Sequence, residues 1–212
     1  MPSPTSFSSD CVFQGSVTFA GTVQTKFARA QLSQEALNAY GIPLTDMRVW
    51  DALSSLLPAT AATDDLGITT GTWGTSAPTI RTSDAKNTTV TQRLAFLFAV
   101  PSEYDTGETV TLRISAGMVT TVASSSATVD AEIYELNKTG GLGGAPDDLV
   151  TTAATTINSL TKGNKDFTVT SSGLAPGDIL ICRLTIAITD VATATAVIGE
   201  IGAVDMLLDV RG

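Results

Sequence analysis

The chain has 212 residues and a formal net charge of -9, and only 16% of its residues are charged. Affinity for nucleic acid depends on clustered Lys and Arg side chains that release counterions from the phosphates, and an acidic chain offers few of them. A bilayer span needs ~18 consecutive apolar residues, whereas the longest apolar run here, Leu94–Val100, is only as long as a strand. We therefore expect neither nucleic-acid nor membrane binding.

The sequence contains no histidine. This absence removes His-based triads, His-containing zinc sites and the usual general base at neutral pH. Glu132 paired with Glu103 or Asp178 is only a formal match to the carboxylates of a glycosidase, and Asp64–Asp65 and Asp147–Asp148 lack the spacing of a calcium loop. We expect no catalytic residue, no metal and no cofactor, so the chain is predicted not to be an enzyme.

Two features of the chain predict where it is made. The N-terminus lacks the basic start and apolar segment of a secretory signal, which indicates folding in the cytoplasm of the cell that makes it. Cys11 and Cys182 are far apart, and Cys182 lies in an apolar run. In a reducing compartment such a cysteine is expected to stay a free, buried thiol.

Residues 1–58 are predicted to be an N-terminal arm. Val12–Val23 alternates apolar with small polar residues, which favours extended structure. The segment 28–37 contains good helix formers and is closed by Gly41 and Pro43, which predicts one short helix. Residues 45–53 fit either a helical turn or a strand, and 59–65 is predicted to be a linker.

After the linker, short alternating segments recur with turn residues between them, which is typical of an antiparallel β-sandwich. The pattern places Leu94, Phe96, Phe98 and Val100 on one buried face. The sandwich domain is expected to cover 66–212. Its predicted strands are Leu66–Trp73, Ala77–Thr82, Val90–Val100, Glu108–Met118, Thr128–Leu136, Phe167–Thr170, Asp178–Thr189 and Ala194–Val210.

Trp50, Trp73 and Tyr104 are the candidates for an exposed aromatic surface. Such a surface could stack on sugar rings, but only 6% of the residues are aromatic, which leaves few after a core has been filled. We expect these three side chains to lie in the core or in an interface. A carbohydrate-binding module that uses Trp73 is the alternative.

The segment Leu94–Gly107, the following Glu108–Ser115 and the turn Leu174–Asp178 with its strand through Arg183 resemble the jelly-roll structural proteins of tailed bacteriophages. Among these, the chain is most similar to capsid cement, or decoration, proteins. The resemblance covers roughly 66–212 and implies a mainly β, jelly-roll-like sandwich with an N-terminal extended arm.

The resemblance also implies a function and partners. The protein would be a virion structural component on the capsid surface, binding the major capsid protein and itself as a homotrimer. Phe13, Val17, Phe19 and Trp50 are the predicted partner-binding residues of the arm. A head fibre or tail appendage protein that binds a host surface remains an alternative.

Overall fold

The computed structural model describes residues 37–120, 126–136, 148–191 and 195–210. Within these residues, no helix is long and apolar enough to cross a membrane. The described residues form antiparallel strands and one short 3₁₀ turn, Leu44–Asp46. The strands are β1 (Asn38–Gly41), β2 (Arg48–Val49), β3 (Ala52–Leu56), β4 (Gly67–Thr69), β5 (Thr79–Arg81), β6 (Thr89–Ala99), β7 (Val110–Met118), β8 (Ser126–Glu135), β9 (Thr155–Thr156), β10 (Gly163–Val169), β11 (Ile179–Thr189) and β12 (Gly199–Leu208).

The strands form two sheets packed as a sandwich. Sheet A has the order β10-β7-β12-β5-β4, with β1 also paired to β12, and sheet B has the order β3-β2-β6-β11-β8-β9. From β5 onward the pairs run from the outermost strands inward: β5 with β12, β6 with β11, β7 with β10 and β8 with β9. A long hairpin folded over itself in this way is a jelly roll, which confirms the predicted mainly β, jelly-roll-like fold.

The core lies between the inner faces of the two sheets. Because side chains alternate along a strand, β11 turns every second residue inward, from Leu180 to Ile188, and all of these are fully buried. The predicted inner face of β6, which includes Phe96, is buried as expected. So are the predicted inner residues of β7: Val110, Leu112 and Ile114.

The described part of the predicted arm belongs to the sandwich, so the predicted domain start at Leu66 is too late. Strand β1 pairs with β12 from Asn38 to Gly41, and Arg48 pairs with Ala95 of β6. Met47 and Leu57 are buried in the common core. These elements are short and pair with strands distant in sequence, so the local pattern carries little signal for them. The predicted strands of 12–23 and helix of 28–37 lie outside the described residues, except that Leu37 is not helical.

The predicted linker 59–65 is a tight loop fixed to sheet B. The amide of Arg93 donates to the carbonyl of Asp64 at 2.7 Å, and the amide of Leu66 donates to the carbonyl of Arg93 at 2.9 Å. Ala62 and Asp65 close the turn with two further backbone hydrogen bonds. The loop therefore extends the pairing along β6 and does not separate two domains.

Other strand boundaries also differ from the predicted ones. The strand predicted over Leu66–Trp73 ends at Thr69, and Trp73 lies in the loop that follows. Strand β10 begins at Gly163, earlier than the predicted Phe167, because its polar first half pairs with residues 113–116 of β7. Cys182 is a buried free thiol, and burial raises its pKa far above the ordinary value. Cys11 lies outside the described residues.

Leu184 should be essential to the packing of sheet B. It is fully buried in β11, opposite Leu94 on one side and Ala131 on the other. Leu184→Ala leaves a cavity between the sheets and should lower the free energy of unfolding by about 2–5 kcal/mol in urea denaturation. Leu160→Ala is the control, because Leu160 is 60% exposed, and it should cost no more than about 0.5 kcal/mol. Equal losses for the two variants would contradict the assigned core.

Candidate functional site

The outer faces of the two sheets differ in chemistry. On sheet A, β7 and β10 present Thr111 opposite Thr168 and Arg113 opposite Asp166. Arg113 and Asp166 form a bidentate ion pair with both contacts at 2.7 Å, and this pair lowers the pKa of Asp166. Such a polar outer face is the ordinary solvent side of a sandwich.

Sheet B carries an apolar patch at one end of its outer face. In register across β6, β11 and β8, one row places Leu97 beside Ile181 and Ile181 beside Tyr134. The next row places Ala99 beside Ile179, whose carbonyl accepts a hydrogen bond from the amide of Leu136 at 2.8 Å. We call these six residues the apolar patch: Leu97, Ala99, Tyr134, Leu136, Ile179 and Ile181.

The apolar patch is exposed although its residues are hydrophobic. Leu97 is 53% exposed, and Ile179 and Leu136 are each 41% exposed. These side chains occupy adjacent positions on three hydrogen-bonded strands, so they form one surface and are not scattered. A contiguous exposed apolar surface commonly marks an interaction site.

Charged side chains occupy the rows next to the apolar patch. Arg183 forms a bidentate pair with Glu132, with its Nε at 2.6 Å from Oε2 and its Nη2 at 2.6 Å from Oε1. The hydroxyl of Tyr134 donates to Oε1 of Glu132 at 3.1 Å. Each of these groups is only partly exposed, so the row is a fixed polar border to the patch.

Trp50 lies against the same row and is half-buried. Its indole Nε1 donates to Oδ2 of Asp64 at 3.1 Å. The guanidinium carbons of Arg93 and Arg183 lie 5.2 and 5.3 Å from the ring centroid, within the range of cation–π attraction. The indole is therefore held by three charged side chains, which orients it on the outer face of sheet B.

Trp73 is the most exposed aromatic side chain of the described residues, with a relative exposure of 103%. It follows Gly71 and precedes Gly74, whose φ values of 72° and 78° lie in the left-handed region. Of the two positions expected for Trp73, this exposure excludes the core, and a position in an interface stays a prediction. Tyr104, in contrast, is buried as expected and donates its hydroxyl to the carbonyl of Glu108 at 2.9 Å.

Several of the acidic residues singled out in the sequence have hydrogen-bond partners. Asp148 accepts hydrogen bonds from the amides of Ile133 at 2.9 Å and Val150 at 3.0 Å, and buried Asp178 accepts one from Ala175 at 2.7 Å. Burial first, and then the charges of Asp64 and Asp51, raise the pKa of Asp65. In the ranges that the structure describes, no group of three His, Cys, Asp or Glu side chains is placed to hold a metal ion.

The predicted partner-binding residues are only partly placed. Phe13, Val17 and Phe19 lie outside the described residues, and Trp50 lies on the outer face of sheet B. Sequence reasoning missed the apolar patch. Leu97 and Ala99 alternate with the inward residues of β6, so they form one continuous apolar run with them, and such a run also fits a strand buried on both faces.

Comparison with known proteins gives only weak structural similarity. No protein-family model and no curated protein matches the sequence. The chain is similar to the arabinose-bound α-L-arabinofuranosidase MgGH51, at 13% identity and a TM-score of 0.36 over 80% of this chain and 23% of that one. It is also similar to the family 30 carbohydrate-binding module of the cellulosomal cellulase Cel9D-Cel44B of Clostridium thermocellum, at 10% identity and a TM-score of 0.34 over 81% and 91% of the two chains.

A third similar structure is that of infectious bursal disease virus, Gx strain, at 10% identity and a TM-score of 0.27 over 65% of this chain and 36% of that one. The chain thus spans about a quarter of the arabinofuranosidase and about a third of the viral chain. Likeness at this level carries no argument about function.

Asp130 makes the stability of the folded protein depend measurably on pH. Burial raises its pKa, the charges of Glu132 and Asp148 add to that rise, and a hydrogen bond from the amide of Ala131 and the charge of Arg183 oppose it. The folded state therefore binds the Asp130 proton more tightly than the unfolded state does. Ionised Asp130 destabilises the fold at neutral pH, and this penalty disappears as the pH falls through the raised pKa and below the ordinary value.

Asp130→Asn should therefore stabilise the protein at pH 7 by a few tenths to about 1 kcal/mol, and should give no gain near pH 3. Thermal unfolding at the two pH values measures the difference. Asp46→Asn, at an exposed position of the 3₁₀ turn, is the control for the loss of one negative charge. A loss of stability at pH 7 in Asp130→Asn would contradict the assigned environment.

Proposed function

We propose that the chain is a non-enzymatic structural protein of a bacteriophage virion, of the capsid cement or decoration type. It is made in the host cytoplasm and attaches to the major capsid protein on the outside of the head. The observation that carries this proposal is the exposed apolar patch on the outer face of sheet B.

The apolar patch supports assembly because a protein that works alone in water rarely leaves such a surface open. Covering Leu97, Ile179 and Leu136 would remove apolar area from water, which is the main driving force for protein association. Jelly rolls occur in viral capsid proteins and in lectins, so the fold is compatible with the proposal but does not select it.

The border of the patch supports a specific contact. Glu132 and Arg183 are paired with each other, so a partner can cover the neighbouring apolar residues without leaving either charge unpaired. An apolar centre with a polar rim is the usual composition of a protein interface. On a capsid lattice, many identical weak contacts would add up to firm attachment.

The proposal includes self-association as a homotrimer and an arm formed by residues preceding Leu37. Within it, Phe13, Val17 and Phe19 contact the capsid or a neighbouring copy, because their alternation would present them on one side of an extended segment. A head fibre or tail appendage would use the same fold elsewhere on the virion. Electron microscopy of virions that carry a labelled chain separates these locations.

Charge placed in the apolar patch should prevent attachment. In the double variant Leu97→Asp and Ile179→Asp, two carboxylates would have to be buried in the contact, which is costly without partners. We expect at least a tenfold loss of co-sedimentation with capsids that lack the protein, about 1.4 kcal/mol or more. Leu160→Asp, at an exposed residue away from the patch, is the control and should bind normally.

Both substituted positions of the double variant are on the surface, so its thermal unfolding should stay close to that of the parent. A folded double variant that co-sediments as well as the parent would refute the role of the patch.

The arm is tested separately in the full chain. Replacement of Phe13, Val17 and Phe19 by serine removes apolar contact area and should weaken capsid binding or lower the oligomer mass measured by native mass spectrometry. Replacement of the intervening Ser16 and Thr18 by alanine is the matched control, because it leaves the apolar side chains in place. Unchanged binding and unchanged mass in the serine variant would refute the contribution of these three residues.

A further inference from the structure

The loop that carries Trp73 is a second exposed surface, and it differs in chemistry from the outer face of sheet B. We propose that the Trp73 loop, Gly71–Pro78, binds a neutral saccharide, with one sugar ring stacked on the indole. This inference does not depend on the virion assignment, because it concerns a different surface with its own readout.

The exposure of Trp73 leaves a large apolar side chain in water. Tryptophan carries the largest apolar surface of any residue, and Trp73 has none of it covered by the described part of the chain. Every residue from Thr72 to Pro78 is exposed as well. A fully exposed tryptophan at the tip of a loop is an apolar surface without a structural role in the sandwich.

Hydrogen bonds hold the Trp73 loop in one shape. The amide of Thr72 donates to the carbonyl of Ser76 at 3.2 Å and to its hydroxyl oxygen at 2.9 Å. The amides of Thr75 and Ser76 both donate back to the carbonyl of Thr72 at 2.9 Å. A side chain at Gly71 would clash with the carbonyl oxygen of Ser76, only 2.4 Å from the position of its Cβ. The indole is thus presented by a preorganised turn, which lowers the entropic cost of binding a ligand.

The Trp73 loop is uncharged. No residue from Leu66 to Ile80 is charged, although the chain as a whole has a net charge of -9. Hydroxyl groups of Thr70, Thr75 and Ser76 border the indole together with the apolar Ala77 and Pro78. An acidic ligand would be repelled by the whole chain, and a basic one would find no carboxylate in the loop. The electrostatically matched ligand is neutral.

The chemistry of a pyranose ring fits this surface. One face of the ring carries C–H bonds, which pack on the negative face of an aromatic ring, and its rim carries hydroxyls that donate and accept hydrogen bonds. The residues beside the indole, all of them exposed, border an open depression with mostly apolar walls and a few hydroxyls. An apolar surface with a few polar groups is the usual composition of a small-molecule site.

The experiment uses the full chain and neutral oligosaccharides of glucose, mannose, galactose and xylose as probes. Titration is followed by calorimetry and by acrylamide quenching in Trp50→Phe, where Trp73 is the only tryptophan. We expect one or more probes to bind and to shield Trp73 from the quencher. Trp73→Ala should weaken that binding by at least about tenfold, and Trp73→Phe should retain part of it.

The controls separate stacking from loss of fold and from general stickiness. Leu160→Ala removes another exposed apolar side chain and should bind as the parent does. Polygalacturonate, an acidic saccharide, should give no binding signal above that of a titration with buffer alone. Trp73→Ala should unfold at the same temperature as the parent, because the indole touches no core residue.

Three outcomes overturn the proposal. One is that no neutral probe binds at concentrations up to about 10 mM. Another is that Trp73→Ala binds the probe as tightly as the parent. The last is that Trp73→Ala abolishes capsid attachment while no saccharide binds, which would make the indole a protein-docking residue instead.

Discussion

The pairing of β11 between β6 and β8 is the constraint on which the rest of the molecule depends. Its eleven residues are in continuous register with β6, from Ile179 opposite Ala99 to Thr189 opposite Thr89. Because side chains alternate, this register decides at once which residues enter the core and which form the outer face. A slip of one residue would turn Leu184 outward and Arg183 inward, which would bury an arginine and leave the core short of an apolar side chain.

The same register creates the surface to which we assign function. It aligns Leu97 with Ile181 and Tyr134, so three separate stretches of sequence meet as one apolar patch. It also brings Arg183 opposite Glu132, and Trp50 is held against that row by its hydrogen bond to Asp64 and its two arginine contacts. The rigid sandwich and the exposed patch are therefore two sides of one arrangement of strands.

The sequence was sufficient to predict the long strands, because alternation over ten or so residues is a strong signal. Leu94, Phe96 and Phe98 could be assigned to the core in this way. The short elements between Asn38 and Leu56 could not, because each has few residues and depends on a distant partner, such as Leu208 for Asn38. Pairing at that distance leaves no local periodicity to detect.

The candidate surfaces were harder to predict than the fold, for two different reasons. An apolar residue on an outer face, such as Leu97, has the same sequence signature as one in a strand covered on both sides. Trp73 was expected in the core or in an interface, and the glycines on either side of Thr72–Trp73 were a usable signal that it lies at a loop tip outside the core. For Leu97, the missing information was which side of the sheet has a neighbour.

The position of β12 has a consequence for how the protein is made. This strand is the last in the described chain, and it lies inside sheet A, with β7 on one side and β1 and β5 on the other. Sheet A therefore cannot close until β12 has been made, since β1 pairs with a strand that is distant in sequence. Folding is expected to be slow, as pairings of high contact order require. A cell that makes many copies at once would hold a pool of chains with open strand edges, which is the condition under which chaperones are needed.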